Sequence, residues 1–212
     1  MSENRQPEIR NHSDNSQSAI RNPQSSAAIF IDRDGTINED SGYISKPDEL
    51  IIYPWVAEAV RLINEAGLKT IVVTNQSGVA RGMYTEDDLR LIHTRMISEL
   101  RNQSARIDGV YYCPHHPDYG DERYRRECEC RKPSPGMLHA AAREHKVDLA
   151  RSFVIGDKAS DINLATNVGA RGALVLTGYG HETLAHPDRW PCEPGLVADN
   201  LLHAIRLILD DW

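Results

Sequence analysis

Nowhere in these 212 residues does an apolar run approach the roughly 18 needed to cross a bilayer, and the N-terminus lacks the basic, then apolar, then small-residue order of a secretory signal. The chain therefore reads as cytoplasmic, with no membrane partner. A basic stripe is missing too. With 24 Lys+Arg against 31 Asp+Glu the formal net charge is −7, which disfavours nucleic-acid binding driven by phosphate neutralisation and points to a small-molecule partner. Cysteine is scarce: there are four, and Cys113, Cys128 and Cys130 fall within eighteen residues of one another. That crowding suits a metal site in a reducing compartment better than a disulfide framework. Cys192, directly after Pro191, reads as a bystander.

The 40% of hydrophobic and 26% of charged residues fit one globular α/β domain with room for a full core. Residues 1–26 are too polar to bury anything and read as a disordered tail, leaving 27–212 as a single domain. Short β-branched runs then alternate with helix-period stretches, the rhythm of a doubly wound, mostly parallel sheet flanked by helices. Strands are predicted at 27–32, 69–74, 109–112, 153–156 and 173–176, with 195–198 at an edge. Helices are predicted at 54–66 closed by Gly67, 85–100 opened by Thr85 with Asp88 three residues on, 135–144, 158–168 stopped by Gly169, and 200–209.

Residues able to do chemistry gather where strands end, the place where open α/β sheets hold their ligands. After the first strand stands Asp32-Arg33-Asp34-Gly35-Thr36. Such a carboxylate pair can divide labour: Asp32 attacks an electrophile while Asp34 protonates the leaving group and later draws a proton from water, provided a cation keeps Asp32 ionised. Alone, the same letters describe a solvated turn capped by Asp and opened by Gly. The second strand ends in Thr74-Asn75-Gln76-Ser77-Gly78, where a hydroxyl and backbone amides can cradle phosphoryl oxygens or merely cap a turn. Arg131-Lys132-Pro133 offers a fixed cation ahead of a helix, or an ordinary solvated charge pair. Finally Gly156-Asp157-Lys158-Ala159-Ser160-Asp161 puts a carboxylate at a helix start, where Asp157 and Asp32 can share one Mg²⁺.

A second constellation consists of Cys113, His115, Cys128 and Cys130. Ligands two apart point to the same side of an extended segment, so two such pairs close a tetrahedron of three thiolates and one imidazole. Buried apolar cysteines or a catalytic thiol are the alternatives. Residues 117–127 between the pairs are strongly hydrophilic, so a metal would order them, which makes the zinc structural.

Taken in order, Asp-x-Asp-Gly-Thr, strand-Thr, Lys and Gly-Asp-x-x-x-Asp resemble the four motifs of the haloacid dehalogenase superfamily of phosphatases. Residues 31–38, Thr74 to Gly82, and Cys113-Pro114-His115-His116-Pro117 leading to Cys128-Glu129-Cys130-Arg131-Lys132-Pro133 narrow this to a resemblance to the D-glycero-D-manno-heptose 1,7-bisphosphate 7-phosphatase family, over about Ala28 to Thr177. The resemblance implies Mg²⁺-dependent hydrolysis of the 7-phosphate of a heptose bisphosphate in bacterial heptose nucleotide and lipopolysaccharide biosynthesis, and the chain is expected to be a monomer. It implies Asp32 as nucleophile, Asp34 as general acid/base, and Thr74 and Lys132 on the phosphoryl oxygens. Mg²⁺ would lie between Asp32, the Asp34 carbonyl and Asp157. Asp40, Ser41, Gly42, Tyr43, Asn75, Gln76, Ser77, Arg131 and Lys158 would contact the rest of the phosphorylated sugar.

Adjacent side chains on an extended segment diverge, so Lys132 is expected to face the cation pocket and Arg131 to face outward along the sugar. Asp161 is expected to steady Lys132 or Lys158. About 41 residues separate the first motif from Thr74, too few for a large cap domain, so the site is expected to be open above, with the zinc loop as one wall. Histidinol-phosphate phosphatase is the rival within the class, and a noncatalytic phosphoreceiver the rival outside it. The second carboxylate, Asp34, argues against the receiver. The acidic balance argues against a nucleic-acid 3′-phosphatase.

Overall fold

A computed structural model describes residues 26–189 and 193–211. The tail up to residue 25 and Cys192 lie outside the described residues. Six strands, β1 (Ala28–Ile31), β2 (Lys69–Asn75), β3 (Gly109–Cys113), β4 (Phe153–Gly156), β5 (Arg171–Val175) and β6 (Leu196–Ala198), form one sheet in the order β3-β2-β1-β4-β5-β6. Every pairing is parallel, with Ile31 opposite both Val72 and Ile155.

The strands are apolar on both faces because helices cover both. On one face Ile29, Ile31, Val72, Ile155 and Val175 pack with α1 (Val56–Glu65), α2 (Glu86–Asn102) and α6 (Leu201–Asp210) through Val60, Ile63, Met96 and Ile205. On the other, Ala28, Phe30, Ile71, Val73 and Val154 meet α3 (Gly136–His145) and α4 (Ala159–Asn167) through Leu138, Ala141 and Leu164. The period-2 alternation along β1 sends its residues into two separate cores.

Local signals act as expected: Thr85 Oγ1 accepts from the Asp88 N–H at 3.1 Å and Asp88 Oδ2 accepts from the Thr85 N–H at 2.9 Å, a reciprocal cap that starts α2. One helix escaped the periodicity. Residues Gly180–Ala185 form α5, six residues with too little apolar pattern to register. Likewise β5 begins two residues earlier than expected, at Arg171, whose N–H donates to the Ser152 carbonyl and whose guanidinium lies 4.0 Å from the Phe153 ring centroid.

From β1 the chain runs outward through β2 and β3 and then returns to the other side of β1 at β4, so the crevice for a ligand opens at the C-terminal ends of β1 and β4. Among the described residues the sheet carries no domain-sized insertion. The longest connections, 32–55 and 114–135, are loops over that crevice.

Candidate active site

β1 delivers Asp32 and β4 delivers Asp157, while α4 brings Asp161 up beneath them. Carboxylate oxygens of all three lie within 4.8 Å of one another, and all three residues are buried. Three such charges are tolerable only beside a cation. Lys132 supplies it: its Nζ lies 2.9 Å from Asp32 Oδ1 and 2.6 Å from Asp161 Oδ1, and it donates to the Val73 carbonyl at 3.1 Å. Burial pulls the Lys132 ammonium down, yet Asp161 and Asp32 raise it further, so it stays protonated. Asp161 therefore serves Lys132 with its side chain, and its other oxygen accepts from the Lys158 backbone N–H at 3.2 Å, the cap of α4.

Asp157 is the unsatisfied member of the group. Its Oδ2 accepts from the Tyr179 N–H at 2.8 Å, but its buried Oδ1 has no partner. Burial, with Asp32 and Asp161 nearby, pushes it up to about 7 against the pull of Lys158. A buried carboxylate oxygen left unpaired among like charges is what a hard divalent cation satisfies, so Asp32 and Asp157 suit one. Gly35 backs onto this carboxylate at φ +84°, where any Cβ would overlap Asp157.

Asp34 has a separate harness that sequence reasoning missed. The Arg33 side chain, 1% exposed, forks onto it, with Nη2 at 2.7 Å from Oδ1 and 2.8 Å from Oδ2 and Nε at 2.9 Å from Oδ1. Asn38 Nδ2 donates to Oδ1 at 3.0 Å and Gln76 Nε2 to Oδ2 at 2.8 Å. Burial raises the Asp34 carboxyl, but Arg33, Asn38 and Gln76 outweigh it and hold the group below the usual carboxylate range. Arg33 Nη1 also reaches His93 Nε2 at 3.4 Å, and burial together with Arg33 pushes that histidine down to about 3, leaving a neutral ring that accepts. The only sequence signal for Arg33 was its place between two aspartates at a buried strand end.

Asn75 and Gln76 hold their neighbours in place. Asn75 clamps the Lys132 backbone, its Oδ1 accepting from the N–H at 3.0 Å and its Nδ2 donating to the carbonyl at 3.2 Å. Gln76 Nε2 donates to Thr74 Oγ1 at 2.9 Å, which leaves the Thr74 hydroxyl proton free for an incoming oxygen, and Tyr84 fixes the amide by donating to Oε1 at 2.6 Å.

Above this floor lies a pocket of about 340 Å³ that brings together Asp34, Asp40, Gly42, Tyr43, Asn75, Gln76, Ser77 and Lys158, joined by Tyr84 and Tyr179. Lys158 Nζ pairs with Asp40 Oδ2 at 2.9 Å. Ser41 and Arg131 do not line it. Arg131 diverges from Lys132 as expected, but its Nη1 donates to the His115 carbonyl at 3.2 Å and it lines a neighbouring groove with Glu129 and Ser134.

The second cluster stands at the end of β3. Sulfur-to-sulfur distances among Cys113, Cys128 and Cys130 are 3.2 to 3.5 Å, and His115 Nδ1 is 3.7 Å from Cys113 and 3.2 Å from Cys130, so the four donors can hold one metal ion. Burial and the Arg126 guanidinium push His115 down, which keeps its ring in the neutral form a metal needs. The loop between the pairs has other anchors besides: Tyr124 packs with Val79, Tyr84 and Leu89 and donates to Glu86 at 2.8 Å, and Tyr119 lies 3.7 Å from the Arg81 guanidinium.

Comparison with known proteins agrees with this geometry. Residues 129–204 match a family described as HAD-hydrolase-like. The chain is 48% identical over 155 residues to a D-glycero-beta-D-manno-heptose-1,7-bisphosphate 7-phosphatase of Rhodopseudomonas palustris, covering 73% of this chain and 84% of that one. It is 44% identical to one of Escherichia coli K12 over 71% and 80%. The D,D-heptose 1,7-bisphosphate phosphatase of B. bronchiseptica, solved with magnesium and phosphate, superposes with a TM-score of 0.77 at 35% identity, covering 88% of this chain and 99% of that one. Strand order, motif placement and likeness over most of both partners' lengths agree: this chain belongs to the D-glycero-D-manno-heptose 1,7-bisphosphate 7-phosphatase family of haloacid dehalogenase phosphatases.

Proposed function

We propose that the chain removes the 7-phosphate of D-glycero-D-manno-heptose 1,7-bisphosphate. The observation that carries the reading is the buried Asp32–Lys132 pair at 2.9 Å beside the unpartnered oxygen of Asp157, a nucleophile held ionised next to a place for a cation. Asp32 attacks phosphorus as the bond to the sugar oxygen breaks, and Asp34 gives that oxygen its proton. Water then attacks the aspartyl phosphate and gives a proton to Asp34, freeing inorganic phosphate and the Asp32 carboxylate, and Asp34 sheds that proton to solvent as the phosphate leaves. Asp34 rests ionised, so its proton is taken up with the substrate, whose negative charge raises the carboxyl. Thr74 and Lys132 bind the phosphoryl oxygens, and Lys158, Asp40 and Tyr43 meet the sugar. Arg131 reaches the distant 1-phosphate once it leaves the His115 carbonyl.

Magnesium is the cation proposed at Asp32, the Asp34 carbonyl and Asp157. Bound there, it neutralises charge on the transferring group. The donor set of the second cluster suits structural zinc, since a tetrahedron with Zn–S bonds of about 2.3 Å has edges near 3.8 Å, slightly wider than the sulfur spacings found. The proposal includes a cytoplasmic monomer, and the unbridged Cys113, Cys128 and Cys130 support a reducing compartment. Among the described residues no helix is long and apolar enough to cross a membrane. Initial rates on both anomers of the bisphosphate, histidinol phosphate and a 3′-phosphorylated oligonucleotide test the substrate. The bisphosphate is expected to have the highest kcat/KM, and a preference for histidinol phosphate would overturn the reading.

A further inference from the structure

Besides the ends of β1, β2 and β4 and the loop that carries Lys132, residues 177–180, between β5 and α5, reach the site. Their backbone is locked onto the catalytic floor. Thr177 Oγ1 donates to the Gly35 carbonyl, the Tyr179 N–H donates to Asp157 Oδ2 at 2.8 Å, and Thr183 Oγ1, one turn later, donates to the Asp157 carbonyl at 2.8 Å. Gly178 sits at φ +53°, where a Cβ would overlap the Asp157 carboxylate. The side chain of Tyr179 takes no part in this fastening. Its ring is 46% exposed and lines the pocket above the floor, where Tyr43, from the loop after β1, is similarly open at 45%. The Lys158 ammonium lies 4.8 Å from the Tyr179 ring centroid while paired to Asp40.

Sheet order fixes which flank this is. β5 lies two strands from β1 on the β4 side, and the Asn75–Tyr84 segment follows β2 on the other side. The leaving group of a phosphate seated at Asp32 thus has the polar amides of the β2 loop on one flank and an aromatic face with an ordered ammonium on the other. A sugar needs both kinds of surface: hydroxyls for the polar side, and a carbon face whose C–H groups pack against an aromatic ring.

We propose that Tyr179 is a specificity-determining residue of the phosphosugar reaction, its ring packing against the carbon face of the leaving group and holding Lys158 where the sugar's oxygens meet it. This rests on the phosphosugar reading above. Because Tyr179 holds Asp157 through a main-chain N–H, truncating the ring leaves that bond in place, so recognition and cation support are separable by mutation.

The test compares Tyr179→Ala and Tyr179→Phe with wild type on heptose bisphosphate and on ethyl phosphate, whose leaving group is too small to reach the ring. The ratio of kcat/KM for the bisphosphate to that for ethyl phosphate is expected to fall about tenfold in Tyr179→Ala, through KM rather than kcat, and to stay within about threefold of wild type in Tyr179→Phe. The concentration of Mg²⁺ giving half-maximal activity is expected to be the same for all three proteins. An unchanged ratio in Tyr179→Ala would overturn the proposal. So would an equal loss on both substrates with a shifted Mg²⁺ requirement, since the residue would then act by supporting Asp157. If wild type favours another phosphosugar over the heptose bisphosphate, the substrate reading fails by itself, and the same ratio taken with the favoured sugar still decides the role of Tyr179.

Discussion

The two ligand clusters of this molecule stand at ends of the same sheet and are built on opposite principles. The carboxylates Asp32, Asp157 and Asp161 are buried and braced by Lys132, by the Tyr179 and Lys158 main-chain N–H groups and by glycines that admit no side chain. The cluster of Cys113, His115, Cys128 and Cys130 bridges the end of β3 and a hydrophilic loop whose apolar anchoring beyond the cluster centres on Tyr124. A cation at the first cluster answers to chemistry, because apart from the open Oδ1 of Asp157 the scaffold around it is already satisfied. A cation at the second answers to folding, because it would join the two ends of that loop at β3, whereas Tyr119 and Tyr124 fasten only its middle.

The most severe way to sharpen this contrast is Asp32→Asn. Turnover is expected to vanish, while the melting temperature holds, because Lys132 keeps Asp161 as its partner and one of three crowded negative charges is gone. A variant with near wild-type turnover would remove Asp32 from the chemistry. Asp34→Asn is expected next, with kcat down roughly 10² to 10⁴-fold as a general acid–base group is lost, and rapid-quench labelling with phosphate-labelled substrate would detect a phosphoenzyme that outlives the wild-type one.

The ordering of these effects also marks what the sequence disclosed. Asp32 and Asp157 directly follow β1 and β4 and Thr74 stands at the end of β2, and these strand ends are legible because the β-branched runs stop at Gly, Asp or Asn. The partners that tune those residues were not legible. Arg33 is a charged residue buried on the strength of a pairing that only the fold reveals, and Tyr84 and Tyr179 arrive from a turn and a short helix start that carry no periodic pattern. Resemblance implies substrate contacts for Asn75 and Gln76; their side-chain bonds to Lys132 and Asp34 depend on a fold that brings together residues far apart in sequence.

At the other cluster, Cys128→Ser is expected to lower bound zinc, read by elemental analysis, and to cost roughly 5 °C in melting temperature, with a smaller loss of activity than either aspartate variant shows. Full stability and activity with well under one zinc per chain would erase the contrast drawn above.

The smallest expected effect is a pH dependence confined to the carboxylate cluster. Asp157 is raised from 3.8 to about 7, so its protonated form favours the folded chain. Its contribution to the stability of Mg²⁺-free protein is full below about pH 4 and lost as pH rises through about 7. Magnesium requires the ionised form, so titration calorimetry is expected to find binding about tenfold tighter at pH 8 than at pH 6. A flat profile would mean that Asp157 is already ionised and that this cluster is no more strained than the thiol one.

The segment from Thr177 to Gly180 divides its duties between main chain and side chain. Gly178 is barred from change by the carboxylate beneath it, and the Tyr179 N–H would be present under any residue but proline. Position 179 is therefore a natural point of divergence. A descendant could exchange the ring for a charge or a small group and meet a different phosphate ester, while the machinery that breaks the bond stayed as it was.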